Sequence, residues 1–339
     1  WKKMNGWALK GLAETYKKVG LVFNKEYAES NHYALGKKIA LEGLKKGILE
    51  KDETGAVIAD LTKQKLDKKV ILRADGTTVY ITQDMYMAIQ RYNDYRFDQM
   101  IYVVASEQDY HFKVLFELLN MLKYAFASKC VHLSYGMVYL PHGKMKSREG
   151  TVIDADDILE QMETLAGKEV KKRYKGLSKK EVHKRAKAIG HAALRYFMLK
   201  FDPVKDIHFD PKESLSFEGE TGPYVQYTYA RIKSILRKTK KPIQKKIEYG
   251  VLGAQEFRVL KKLEQYPEVV EHAALQCKPS LVAHYVLKLA QEYNTFYVNC
   301  PVLKADSNVR AARLVLSKAV ANVLQSGLNL LHIETLEEM

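Results

Sequence analysis

Cysteine is scarce and unpatterned. The 339-residue chain has three, Cys130, Cys277 and Cys300, odd in number and without metal-ligand spacing, so neither a disulfide framework nor a structural zinc site is expected. That usage favours a reducing cytoplasm. No apolar run reaches the ~20 residues of a membrane span, and no internal repeat or low-complexity tract is present. Acidic residues are in deficit, 40 against 55 Lys plus Arg, which leaves a formal net charge of +15. Such an excess points to an anionic partner, either nucleic acid or an acidic membrane surface. Hydrophobic content of 47% excludes a mostly disordered chain, and the length suits two or three domains.

What is present divides into two halves of different character. Apolar spacing predicts helices over Trp1–Lys18 and Tyr33–Lys46, the second burying Leu35, Ile39 and Leu44. Short strands are expected at Leu21–Phe23, Val57–Leu61, Val70–Arg73 and, after the Asp75-Gly76 turn, Thr77–Ile81. Thr82 is placed to cap a helix to about Tyr92, with Asp84 in its first turn. The continuous apolar run Met100–Ala105 predicts a buried parallel strand, Phe112–Leu119 a helix, and Ser134–Leu140 a further strand. Alternation of this kind predicts an α/β fold with a doubly wound parallel sheet, whose ligands bind beyond the carboxyl ends of the strands.

From Asp154 onward strand signals fade and helices dominate. They are expected over Asp154–Leu165 and Ser178–Lys200, the latter with a Ser178/Glu181 capping box. Phe201–Phe217 reads as an irregular connector, and a helix opens near Pro223 and ends in the basic run Arg237–Lys246. Further helices cover Phe257–Leu263, Pro267–Leu275, Ser280–Val298 and Val309–Ser326, with Gly327 as a C-cap. The expected division is therefore α/β followed by all-α, with a boundary near Phe217.

The stretch SYGMVYLPHGKMKSREGTV, Ser134–Val152, carries a strand into a loop with three cations in five residues between two glycines. Such a loop can bring backbone N–H groups and mobile lysines to a phosphate. Around it lie DGTTVYITQD (Asp75–Asp84), IYVVASEQDYHF (Ile101–Phe112), ALRY (Ala193–Tyr196), GPYVQYTYAR (Gly222–Arg231) and a final Met339. The loop resembles the KMSKS loop of class I aminoacyl-tRNA synthetases, and the blocks, in this order, resemble the arginyl-tRNA synthetase family. The resemblance covers nearly the whole chain. It departs in the loop, where Lys146 stands at the serine position and Ser147 where the second lysine belongs. The family's HIGH tetrapeptide lies upstream of these blocks and no His-x-Gly-His occurs, so the chain is expected to be the C-terminal portion of a longer enzyme.

The resemblance implies a partial Rossmann-like catalytic domain with its insertion and loop over 1–152, a helical stem-contact connection over 153–216, and a DALR-type helical anticodon-binding domain over 217–339. It implies arginine recognition by Tyr80, Asp84 and Gln108; a buried carboxylate can hold a guanidinium by two parallel hydrogen bonds. Contact with ATP is implied for His111, for the backbone of Gly136, Met137 and Val138, and for Lys144, Met145, Lys146 and Ser147, with Mg²⁺ accompanying the ATP. Anticodon contact is implied for Tyr224, Tyr227 and Arg231, which fall at i, i+3 and i+7 on one helical stripe, and for Tyr297 and Met339. The partners implied are arginine tRNA, L-arginine and ATP, with no membrane and a monomeric state.

Each residue alone has a plainer reading. Asp84 suits a helix N-terminus, Tyr80 strand packing, Gln108 a surface amide and His111 a buried or capped histidine. The tyrosines suit a core, and Lys168–Lys187, with ten basic residues against two acidic, suits a solvated face. The rival function is a non-catalytic RNA-binding protein of synthetase-like architecture. On either reading the chain alone is expected not to charge tRNA appreciably.

Overall fold

Lys2–Val19 forms the first helix, α1, closed by Gly20 in the left-handed conformation at φ 74°. The computed structural model describes residues 1–28, 33–140, 143–144, 154–239 and 249–339. These fold as two compact units: Leu21–Met137, and Trp1–Gly20 together with Val138–Met339.

The Leu21–Met137 unit contains α2 (Tyr33–Lys45), β1 (Glu50–Lys51), β2 (Val57–Ala59), β3 (Lys69–Leu72), α3 (Tyr80–Tyr95), β4 (Met100–Ala105), α4 (Asp109–Met121) and β5 (Cys130–Tyr135). Strands β1–β3 make an antiparallel sheet, and β4 and β5 pair in parallel from Met100↔Cys130 to Ala105↔Tyr135. The core gathers Ile39 and Ala40 of α2, Ile71 of β3, Ile81 and Met85 of α3, and Leu115 and Leu118 of α4.

Several expectations change here. Thr77–Ile81 is not a strand: its β-branched run makes one isolated bridge, Leu72↔Thr78, and helix starts at Tyr80. Burial decides this, because Ile81, Met85 and Ala88, at helical spacing, all enter the core. Thr82 is therefore the third helical residue rather than the cap. Its hydroxyl accepts from the Val79 N–H at 3.4 Å and donates to the Ile71 carbonyl at 2.5 Å. Asp84 consequently lies in the second turn. Leu21–Phe23 forms no strand, and Leu35 is 42% exposed. No residue of β4 is fully buried, and Ile101 and Val103 are 40% and 62% exposed, so one face of the apolar run is open. The Ser134–Leu140 strand is two: β5 stops at Tyr135, and after Gly136 and Met137 the chain enters another sheet.

The second unit adds β6 (Val138–Leu140), β7 (Gly143–Lys144), α5 (Ala155–Arg173), α6 (Lys179–Leu199), β8 (Ile207–His208), α7 (Pro211–Ser214), α8 (Gly222–Lys238), α9 (Ala254–Glu264), α10 (Tyr266–Leu275), α11 (Pro279–Asn299) and α12 (Ser307–Leu330). Helix α5 runs well past Leu165 because Ala166 and Val170 are buried and three cations close its last turn against the helix dipole. Ser178 caps α6 by accepting from the Glu181 N–H at 3.2 Å. Phe201–Phe217, expected to be an irregular connector, contains β8, parallel to β6, and the short α7.

Two cores form in this unit. One packs α5 against α6 and includes Met162, Ile189, Phe197, Leu336 and Met339. The other gathers α8, α11 and α12 around Tyr229, Leu289, Tyr293 and Leu324. Gly327 is not a cap, for α12 continues to Leu330. A Cβ there would stand 2.4 Å from Val286 Cγ1, so the missing side chain lets α12 approach α11. Helix α1 is tied to α5 through Asp156, whose carboxylate accepts from Lys18 Nζ and Thr15 Oγ1, both at 2.7 Å. Those bonds hold the Asp156 carboxyl below its ordinary range. Arg195 Nη2 of α6 donates to the Val19 carbonyl at 2.7 Å.

Candidate functional sites: a carboxylate–histidine pair and an aromatic–cation face

Tyr80 and Asp84 lie one helical turn apart on the same face of α3. Tyr80 is 78% exposed, and the Asp84 side chain is 42% exposed. Gln108, also exposed, is the last residue of a 3-10 turn that follows β4 directly and leads into α4. Three residues on, His111 Nε2 stands 2.8 Å from Asp84 Oδ2. This bond joins α3 to α4 across 27 positions of sequence. Because an ionised carboxylate only accepts, Nε2 carries the shared hydrogen. Gly136, buried, and Met137 follow β5, so Gln108, His111, Gly136 and Met137 all lie past the carboxyl ends of the parallel pair β4–β5.

His132 of β5 supports this end of the sheet. Its Nε2 lies 2.9 Å from the Val104 carbonyl and its Nδ1 3.4 Å from Asp109 Oδ1, with its ring 4.4 Å from that of Phe112. Sequence reading passed over it because nothing in Cys130–Tyr135 marks one strand position as facing a helix start. Val138 opens β6 in the other unit. Of Lys144 only the backbone is described, paired with Tyr139, and Met145, Lys146 and Ser147 lie outside the described residues, as does most of Arg237–Lys246. Among the described residues, no group of three or more His, Cys, Asp or Glu side chains is placed to hold a metal ion, and no helix is long and apolar enough to cross a membrane.

The second site is built on α8, whose N-terminus is capped by Thr221 accepting from the Tyr224 N–H at 3.2 Å. The stripe expected from the spacing is present, Tyr224, Tyr227 and Arg231 being half-buried, and beside it Val225, Tyr229 and Ile232 form a second, buried stripe. The Arg231 guanidinium lies 4.9 Å from the Tyr227 ring centre and 5.2 Å from that of Tyr297, which is itself 38% exposed. Asn294 of α11 holds the set. Its Oδ1 accepts from Arg231 Nη1 at 2.6 Å, and its Nδ2 donates to Tyr224 Oη and Thr228 Oγ1, each at 2.9 Å.

The face continues beyond the tyrosines. Phe217 packs edge-on to Tyr227 at 6.5 Å, and the Arg173 guanidinium sits 4.0 Å over Phe217. Asn294, Phe217 and Arg173 were missed because their partners are remote in sequence. The only cue was Asn294 three residues before Tyr297. Met339 is buried at 8% exposure, and its carbonyl accepts from the Tyr174 hydroxyl. Arg185, Lys233 and Arg237 hold the adjoining Glu337 and Glu338.

Beside this face α5 and α6 line a cleft of about 800 Å³, whose lining combines Val182 and Ala186 with the lysines Lys168, Lys171, Lys175 and Lys179 and the carboxylates Glu160 and Glu163. Lys168 also lines a second cleft of about 450 Å³ that reaches Arg173 and Phe217.

The family model for the class I tRNA synthetase (R) catalytic domain matches residues 1–211, and that for the DALR anticodon binding domain matches residues 225–339. The arginine–tRNA ligase of Treponema denticola is 48% identical over 347 residues, covering all of this chain and 59% of that protein. The chain belongs to the arginine–tRNA ligase family. The arginine–tRNA ligase of Flavobacterium psychrophilum is also 48% identical, over 343 residues, with 100% of this chain and 57% of that one covered. Thermus thermophilus arginyl-tRNA synthetase superposes with a TM-score of 0.86 at 26% identity, over 96% of this chain and 62% of that structure. The chain thus spans under two thirds of the length of these arginine–tRNA ligases. Its architecture is that of a class I catalytic portion with parallel sheet pieces, followed by a helical anticodon-binding domain.

Proposed function

We propose that the protein attaches L-arginine to its tRNA in two ATP-dependent steps: arginyl-adenylate forms with release of pyrophosphate, and the tRNA 3′-terminal ribose hydroxyl then takes the arginyl group. The observation that carries this reading furthest is the placement of Asp84 and Gln108. A carboxylate on α3 reaches the first turn of α4, beyond the carboxyl end of β4, where ligands of such sheets bind. Asp84 is assigned the guanidinium, with Tyr80 and Gln108 completing the pocket. The backbone of Gly136, Met137 and Val138 is assigned the nucleotide, and Lys144, Met145, Lys146 and Ser147 its phosphates. ATP arrives as its magnesium complex. The chemistry needs positioning and neutralised phosphate charge more than a dedicated nucleophile.

Tyr224, Tyr227, Arg231 and Tyr297 are assigned the anticodon loop, where aromatic rings and a guanidinium offer stacking surfaces to unpaired bases. Met339 acts there from within the packing. The lysines of the α5–α6 cleft are assigned tRNA phosphates, which position without specifying sequence. The division into 1–152, 153–216 and 217–339 follows from these roles, and a monomer working in the cytoplasm is the state assigned. A polypeptide joining this chain to the upstream segment of its relatives is expected to charge arginine tRNA with arginine alone among the amino acids. The 339-residue chain by itself is expected to charge none. Arginine-independent charging, or robust charging by the chain alone, contradicts the assignment.

The cleft gives a separate prediction. Changing Lys171, Lys175 and Lys179 together to Gln should weaken tRNA binding equally for cognate and anticodon-swapped transcripts. It should also reduce the slope of log K against log salt by about 2–3. An unchanged slope removes these lysines from the interface.

A further inference from the structure

The His111–Asp84 bond gives His111 a different task from contact with the nucleotide. We infer that His111 is a positioning residue for arginine: its Nε2–H fixes the Asp84 carboxylate so that the remaining lone pairs face the substrate guanidinium. The inference rests on the arginine-pocket reading of Asp84.

Three observations support it. The bond is short, 2.8 Å, with a half-buried donor, the His111 side chain being 24% exposed against 42% for Asp84. The ring is also packed, since Phe112 meets it edge-on at 5.6 Å and is itself 7% exposed. Asp84, by contrast, projects from a helix with no other side chain of the described residues bonded to it. A carboxylate on a two-torsion stem samples several orientations, and one fixed hydrogen bond selects among them. Four lone-pair sites on two oxygens leave room for a bidentate guanidinium beside the histidine.

The bond to Asp84 occupies Nε2 and leaves Nδ1 alone for any other partner of this ring. Exposure alone does not explain the pairing, because the two residues come from different helices and each is positioned by its own buried neighbours, Met85 and Phe112.

The test is steady-state arginylation by the chain joined to the upstream segment of its relatives, comparing His111→Leu with His111→Gln. Leu keeps volume and loses the donor, whereas the Gln side-chain amide reaches nearly as far as Nε2. His111→Leu is expected to raise KM for arginine about tenfold with KM for ATP unchanged, and His111→Gln to restore most of the loss. A rise in KM for ATP with arginine unaffected, or no change in either, overturns the inference. Should His111→Leu fail to fold, the imidazole nitrogen resonances of the unsubstituted protein serve instead. They should move on saturation with arginine, and movement only with a non-hydrolysable ATP analogue overturns the inference. An Asp84→Asn control separates the two claims. If it leaves KM for arginine unchanged, the pocket reading itself fails; if it raises KM while His111→Leu does not, only the role of His111 falls.

Discussion

Replacing Asp84 with Asn should raise KM for arginine on the order of 100-fold while leaving KM for ATP within about twofold, as expected when a charge-assisted pair of roughly 1.5–3 kcal/mol is lost. The asparagine keeps the shape of the side chain but offers one acceptor oxygen and no charge, so the parallel pair of hydrogen bonds to a guanidinium cannot form. Folding should be little affected. Asp84 is 42% exposed at its side chain and sits at the edge of the stripe of Ile81, Met85 and Ala88 that α3 buries, so the exchange removes no core contact. Thermal unfolding of the variant checks that point, and kinetics with arginine as the varied substrate, run on the chain joined to the upstream segment of its relatives, measures the effect. An unchanged arginine dependence in a folded variant removes Asp84 from the pocket.

Tyr227→Ala has the second largest expected effect, this time on tRNA. Loss of one stacking ring costs about 1–3 kcal/mol per base, which is roughly 5- to 150-fold in Kd. The effect should exceed that of a lone stacking residue, because Tyr227 lies between Phe217 and Arg231 in the aromatic–cation row. Discrimination between cognate and anticodon-swapped tRNA should fall together with affinity. A variant that weakens both transcripts equally would place Tyr227 in the core role that its half-buried ring also permits.

Much of the helical portion was legible in the sequence, and the reason is geometric. The period of 3.6 separates Val225, Tyr229 and Ile232 from Tyr224, Tyr227 and Arg231 on paper as it does in space, and a Ser-x-x-Glu pair marks the start of α6 without reference to anything distant. Local rules failed where a distant surface decides. Thr77–Ile81 has strand composition, yet the core of its unit claims Ile81, Met85 and Ala88 as one helical face. Gly327 looks like a stop signal, yet contact with Val286 of α11 makes it a close-approach position inside a helix.

The sites show the same division. Tyr80, Asp84 and Gln108 came from motif blocks, but no spacing shows that His111 Nε2 meets Asp84 rather than a nucleotide. Asn294 is linked to Arg231 and Tyr224 across 63 and 70 positions of sequence. Such second partners belong to tertiary packing, and they are where the structure adds most to the sequence.

The central claim is that the folded chain reads the anticodon of an arginine tRNA. Its most direct test is equilibrium binding of the 339-residue chain to an arginine tRNA transcript and to the same transcript with its anticodon exchanged, each at two salt concentrations. The account predicts tighter binding to the arginine transcript, with the ratio kept at the higher salt. Equal binding to both, falling steeply with salt, would show only the +15 charge meeting phosphate and would contradict it.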